Sequence, residues 1–107
     1  MKLIMAIMNS DDSSAVQGTL MREGFKVTTM QSTGVFLMKG NTTLIIGTEE
    51  ENVDAALDII KKGGHKRTQI ISSLPMHGTD TFATFPIEVT VGGATVFVWD
   101  VDRFEKF

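Results

Sequence analysis

Apolar residues recur along this chain at two different spacings, which predict where strands and helices lie. An unbroken apolar run over 3–8 predicts a strand buried on both faces. Alternation over 25–32 and the apolar stretch over 42–46 predict two further strands. The alternation separates two faces of the second strand: Phe25, Val27 and Thr29 on one, and Lys26, Thr28 and Met30 on the other.

Two segments have the three- and four-residue apolar spacing of an amphipathic helix. The first runs from about Asp12 to Glu23 and stops before Gly24, a residue that favours helix ends. Its apolar residues, which we expect to be buried, are Val16, Leu20 and Met21. The second helix has an apolar stripe at Val53, Ala56, Leu57 and Ile60. It opens with acidic residues and closes with lysines, an order that complements the helix dipole.

The C-terminal third predicts strands at 69–72, 87–91 and 94–99, with a long loop before the second of them. Gly92-Gly93 between the last two predicts a tight hairpin. The element order is therefore β-α-β-β-α-β with an extra C-terminal β-hairpin, which predicts an α+β, ferredoxin-like sandwich. Two helices cover only one face of such a sheet, so we expect another copy of the chain to cover the other.

Composition restricts the function classes. The 107 residues form one domain spanning 1–107, with a net charge of −3 that argues against a nucleic-acid polymer as partner. The chain has no cysteine, which excludes disulfides and thiolate chemistry and fits a cytoplasmic protein. The apolar run over 1–8 is too short to span a membrane, and it lacks the flanks of a signal peptide.

No recognisable catalytic or cofactor motif occurs in the sequence. Phosphate-loop and dinucleotide-binding glycine motifs are absent, and His65 and His77 lack metal-ligand spacing. No nucleophile, base and orienting group stand together, so we expect neither an enzyme, nor a metal site, nor a cofactor. The basic residues over 61–67 either complement the end of the second helix or bind an anion.

The segment 33–43 carries the best candidate binding chemistry. Phe36 and Leu37 either pack onto protein or line a ligand pocket, and Asn41 either forms a turn with Gly40 or reads an adenine-like edge. On the neighbouring strand, a lysine and a threonine share a face and could meet a phosphate oxygen. A glycine near the end of the next strand permits close approach of a ligand or another backbone.

Several motifs lie collinearly along the chain: Thr33-Gly34, Phe36-Leu37, Gly40-Asn41-Thr42-Thr43, Pro75-Met76, the run 91–98 and the ending 102–107. Through these motifs the chain resembles the PII-like cyclic di-AMP receptors, a family of small bacterial signalling proteins. The resemblance implies a homotrimer that binds cyclic di-AMP at its subunit interfaces and signals through loop rearrangement to a downstream protein not named by the sequence.

The resemblance also implies a set of ligand-binding residues: Lys26, Val27, Thr28, Phe36, Leu37, Asn41, Gly47 and Lys106. In it, Asn41 and the Gly47 backbone address one adenine. Three positions depart from the family's usual residues, with Val35 in place of glycine, Lys26 in place of arginine and Lys106 in place of glutamine. Two other functions use the same fold, namely a sensor of another nucleotide such as ATP and a ligand-free scaffold for protein contacts.

Overall fold

A four-stranded antiparallel sheet with two helices on one face forms the body of the protein. The computed structural model describes residues 1–31, 40–72 and 86–107. Along the chain the elements are β1 (Lys2–Asn9), α1 (Ser10–Arg22), β2 (Val27–Gln31), β3 (Asn41–Thr48), α2 (Glu50–Gly64), β4 (Arg67–Ser72), β5 (Pro86–Val91) and β6 (Ala94–Asp100). The large sheet has the order β2-β3-β1-β6, and β4 and β5 pair separately as a two-stranded sheet.

The core lies between the helices and one face of the large sheet. Even-numbered residues of β1 and β3 point to this face, and odd-numbered residues point away from it, as the two-residue period of a strand requires. The fully buried apolar residues come from four elements: Ile4, Ala6, Met8, Val16, Leu20, Leu44, Ile46, Ala56 and Ile60. The apolar spacings therefore predicted the core stripes of both helices correctly.

Met21 is the exception among the predicted core residues, because its side chain is 58% exposed. It follows Leu20, and consecutive residues of a helix lie about 100° apart around the axis. Leu20 takes the position that faces the sheet, so Met21 turns outward. Gly24 ends the helix as predicted, with a φ of 93° and its N–H donating to the Met21 carbonyl.

The hairpin predicted across Gly92-Gly93 is wrong. β5 pairs with β4, whereas β6 pairs with β1 in the large sheet. Both glycines do adopt positive φ, but the Gly93 N–H donates to the Gly64 carbonyl at 2.6 Å. The glycines thus turn the chain around the end of α2 and pass it from one sheet to the other.

The two-stranded sheet, which we call the β4–β5 arm, is joined to the body by an ion pair at its base. Arg67 on β4 donates to both carboxylate oxygens of Asp12 on α1, at 2.8 and 3.2 Å, and also to the His65 carbonyl at 3.1 Å. Gly92 packs directly against this pair, since a Cβ there would lie 2.5 Å from an Arg67 nitrogen. Fixing the arm therefore requires both a bidentate guanidinium and a glycine.

Among the described parts of the chain, no helix is long and apolar enough to cross a membrane.

The C-terminal end of α2 packs so closely on α1 that it requires glycine. A Cβ on Gly63 would overlap Cγ2 of Val16, a residue that is 2% exposed. We expect Gly63→Ala to lower the free energy of unfolding by about 1–3 kcal/mol, because overpacking outweighs the gain in helix propensity. Urea denaturation measures this change.

Gly18→Ala is the matched control, because Gly18 also lies in a helix but its nearest neighbour would be the flexible tip of Arg22, at 3.5 Å. This substitution is expected to raise stability by up to about 1 kcal/mol. Equal stabilisation by both alanines would contradict the close packing at Gly63.

Lys2 and Asp100 form an ion pair between β1 and β6 at the edge of the sheet. The hydrogen bond from Lys2 lowers the pKa of Asp100 below 3.8, and the same bond raises the pKa of Lys2 above 10.5. A carboxyl pKa that folding lowers stabilises the fold at every pH above the pKa of the unfolded state. This contribution is lost as the pH falls through the pKa of the folded state. A lysine pKa that folding raises stabilises the fold at every pH below the pKa of the unfolded state. That contribution is lost as the pH rises through the pKa of the folded state.

We therefore expect the wild type to lose more stability than Asp100→Asn as the pH falls from about 5 to about 2. Unfolding curves collected across this range test the difference, with Asp54→Asn on the exposed side of α2 as the control. Parallel loss in the wild type and Asp100→Asn would mean that the pair contributes nothing.

Candidate functional site

The predicted ligand-binding residues separate into two groups at opposite ends of the large sheet. Asn41 is the first residue of β3, and Gly47 is close to its last. Gly47 lies six residues after Asn41 along the extended strand, a distance of about 20 Å at about 3.3 Å per residue. Asn41 and Gly47 of one chain therefore lie too far apart to reach the edge of the same adenine.

The first group lies where β2 begins and β3 ends. Val27 pairs with Ile46 and Thr28 with Ile45, so Lys26, which directly precedes β2, comes beside Gly47. Thr28 is exposed on the face away from the helices, whereas the Val27 side chain packs against the core. Because β2 is an edge strand of the large sheet, Val27 can contact a ligand only through its main chain.

The chain's C-terminal segment starts at this same end of the sheet. The Val101 N–H donates to the Met1 carbonyl at 3.1 Å, and the Met1 sulfur lies close to Gly47. Lys106 is exposed five residues further along this segment. The structure therefore brings the start of the segment to the first group.

The second group lies at the other end of β3, around Asn41. Asn41 pairs with Asn9 across β1, and Gly40 before it has a φ of 92°. The Gly40 carbonyl accepts the N–H of Ser10 at 2.7 Å, and the Ser10 hydroxyl bonds that of Thr42 at 2.7 Å. The first turn of α1 thus fixes the point where the chain returns from 32–39. Phe36 and Leu37 lie outside the described residues.

A cleft of about 810 Å³ opens beside Asn41, and we call it the Asn41 cleft. Its polar lining comes from five separate elements and turns: Asn9, Asn41, Lys61, His65, Lys66 and Thr95. Its apolar lining includes Leu57, Ile60 and Val96. Apolar walls with a few polar side chains are the usual construction of a small-molecule site.

A second cleft, of about 610 Å³, lies on the helix side near Lys26 and Gly47. Its lining includes the carboxylates of Glu23, Glu49 and Asp58, whereas no Asp or Glu of the described residues lines the Asn41 cleft. The two clefts therefore have opposite charge. An anionic ligand is favoured at the Asn41 cleft and is repelled from the helix side of Lys26.

Sequence reasoning missed how the Asn41 cleft is assembled. It treated Asn41 and the basic residues over 61–67 as unrelated features and did not consider Asn9 or Thr95. The strand register joins them, because Asn9 pairs with Asn41 and Thr95 pairs with Ile7 on β1. No signal in the sequence indicated that β6 would occupy the position beside β1.

The sheet face away from the helices carries apolar side chains that no described part of the chain covers. Its central residues, Leu3, Met5, Ile7 and Ile45, are half-buried. At its edges the exposed fractions are 47% for Met30, 43% for Phe97 and 44% for Trp99. A contiguous apolar surface of this kind is typical of a protein interface.

Comparison with known proteins identifies the family. The sequence profile of the family described as "Cyclic-di-AMP receptor" matches residues 1–107, which is the whole of this sequence. The chain belongs to the cyclic-di-AMP receptor family. Membership of this family indicates a protein that binds a signalling nucleotide rather than one that transforms a substrate.

A solved structure is similar over nearly the full length of the chain. It is described as a functionally unknown protein from Pediococcus pentosaceus ATCC 25745. The two proteins share 40% sequence identity with a TM-score of 0.80, and the match covers 99% of this chain and 96% of the other. The similarity supports the mixed α+β fold of two helices on a sheet.

Proposed function

We propose that this protein is a non-enzymatic sensor that binds cyclic di-AMP at the subunit interfaces of a homotrimer. The strand order β2-β3-β1-β6, antiparallel throughout, supports a ferredoxin-like topology for each subunit. Family membership supports the ligand. A cytoplasmic location stays a prediction from the cysteine-free composition.

The separation of the ligand-binding residues is the observation that carries the proposal. Lys26, Thr28 and Gly47 lie at one end of the sheet, and Asn41 lies at the other. A site that uses both groups takes one from each of two neighbouring chains. Such a head-to-tail contact closes into a ring, and a ring of three contains three equivalent sites.

The uncovered sheet face supports the assembly. Its apolar side chains lie on all four strands, and burying one of them fully is worth about 1.5–3 kcal/mol. The association of chains through this face also brings neighbouring sheet ends together. Assembly and formation of the ligand site are thus the same event in this proposal.

The chemistry of each residue sets its role. The Asn41 amide both donates and accepts, as the edge of adenine requires. Beside Gly47, the absence of a side chain allows a base to approach the main chain, and Lys26 with Thr28 offers a charge and a hydroxyl to a phosphate. Phe36 and Leu37 line the pocket in this proposal, and Lys106 lies at its margin.

Signalling follows if the ligand favours one arrangement of the segments next to the site. The segment 32–39 follows Gln31 on β2 and precedes Gly40. The Gly40 carbonyl accepts a hydrogen bond from the Ser10 N–H of α1. A ligand bound to Asn41 acts directly on this junction. Any resulting change in the free energy of binding a downstream protein cannot exceed the ligand's preference between the two arrangements.

A sensor of ATP is the second candidate, and the cation-lined Asn41 cleft is the observation that favours it. Both candidates bind an adenine nucleotide at the same place. Competition between ATP and cyclic di-AMP in one titration distinguishes them, since the true ligand displaces the other at lower concentration.

We expect calorimetric titration with cyclic di-AMP to give one ligand per chain, and cyclic di-GMP to give no comparable heat. Replacement of Asn41 by Ala is expected to weaken binding by about 1–3 kcal/mol, because a base edge loses its partner. Gln69→Ala is the control, since Gln69 is an exposed amide on β4 and lines neither cleft. Unchanged affinity in the folded Asn41 variant would remove this residue from the site.

The trimer is tested at the centre of the uncovered face. Met5 pairs with Ile45 and Phe97 there, so Met5→Glu places a charge in the proposed interface. We expect light scattering after size exclusion to give a trimer for the wild type and a monomer for Met5→Glu. Met21→Glu, on the exposed side of α1, is expected to stay trimeric. A monomeric wild type would contradict the assembly.

A further inference from the structure

The Asn41 cleft contains two lysines that have no carboxylate partner among the described residues. The side-chain ion pairs of the described residues join other cations: Lys2–Asp100, Lys62–Asp58, Arg67–Asp12 and Arg103–Glu105. Lys61 and Lys66 are among the described cations that form no such pair, and both line the cleft. Two positive charges therefore face one concave surface that no acidic residue of the described part of the chain lines.

Helix chemistry accounts for only part of this charge. Cations in the last turn of α2 complement its dipole, and Lys61 and Lys62 both occupy that turn. The Gly64 carbonyl at the end of the helix is already bonded by the Gly93 N–H at 2.6 Å. Lys66 lies beyond the helix, so its position in the cleft has no explanation in the stability of α2.

His65 in the cleft has one ring nitrogen engaged within its own chain, since Nδ1 lies 3.2 Å from the Lys62 carbonyl. Lys61 and Lys66 are the lysine side chains of the lining, and they are the groups that attract an anion.

Other lining residues suit the rest of a nucleotide. Asn9 uses its side-chain oxygen to accept the Asp11 N–H at 2.8 Å, so its amide nitrogen remains a donor. The Asn41 amide and the Thr95 hydroxyl add further polar groups, and Leu57 and Ile60 provide an apolar wall. A ligand with a planar apolar part and an anionic part matches this lining.

We propose that Lys61 and Lys66 bind a phosphate group of an adenine nucleotide in the Asn41 cleft. Where that nucleotide is cyclic di-AMP, the inference rests on the function proposed above and assigns one phosphate to these two side chains. ATP carries the same chemistry and is the other source of the phosphate. Lys26 of the adjoining chain would then lie toward another part of the ligand.

The test is a double variant, Lys61→Gln with Lys66→Gln, titrated by calorimetry with cyclic di-AMP and separately with ATP. Lys62→Gln is the matched control, because Lys62 is adjacent in sequence but pairs with Asp58 outside the cleft. We expect the double variant to lose at least about tenfold in affinity, as charge-assisted hydrogen bonds require, and Lys62→Gln to stay within about twofold. Salt should weaken binding less in the double variant than in the wild type.

The outcomes separate this inference from the proposed function. Cyclic di-AMP binding by the wild type with full retention in the double variant overturns the inference and leaves the proposed function standing. Binding of ATP alone, lost in the double variant, overturns the proposed function and supports the inference. Binding of ATP alone with retention in the double variant, or binding of neither nucleotide by the wild type, overturns both. Circular dichroism and melting curves confirm that each exposed substitution leaves the fold intact.

Discussion

The central strand β1 is apolar on both faces, and the rest of the molecule is arranged around that constraint. On one face Ile4, Ala6 and Met8 are at most 1% exposed beneath the two helices. On the other, Leu3, Met5 and Ile7 are only half-buried by their strand neighbours. The described residues form two helices, and both pack on the first face. The second face is therefore the surface on which the proposed assembly depends.

The sequence predicted the elements of the body well, because apolar periodicity is a local property. Both helices, the strands β1 to β3 and the orientation of Thr28 and Val27 follow from spacing alone. The partner of β6 does not, since Ala94–Asp100 pairs with a strand some ninety residues earlier. Gly92-Gly93 signals a sharp turn in either case. The turn forms a hairpin if β6 pairs with β5, and it joins two sheets if β6 pairs with β1.

The candidate site shows the same limit more strongly. The resemblance supplied Lys26, Thr28, Asn41 and Gly47 but not the distance between them, which depends on their all lying along one pair of strands. The charge contrast between the two clefts was equally hidden. The carboxylates of the cleft near Lys26 come from the end of α1, the start of α2 and the middle of α2, which are distant from one another in the sequence. The net charge of the chain is a sum over both ends of the sheet, so it does not reveal that the two clefts differ in charge.

The arm of β4 and β5 has a consequence for how this protein can vary. Its ladder is separate from that of the large sheet, and one bidentate ion pair with a glycine behind it fixes its base. A two-stranded ladder is only marginally stable by itself, so the arm depends on this attachment to the body. We expect a substitution at one of Asp12, Arg67 and Gly92 to require a compensating change at the other two.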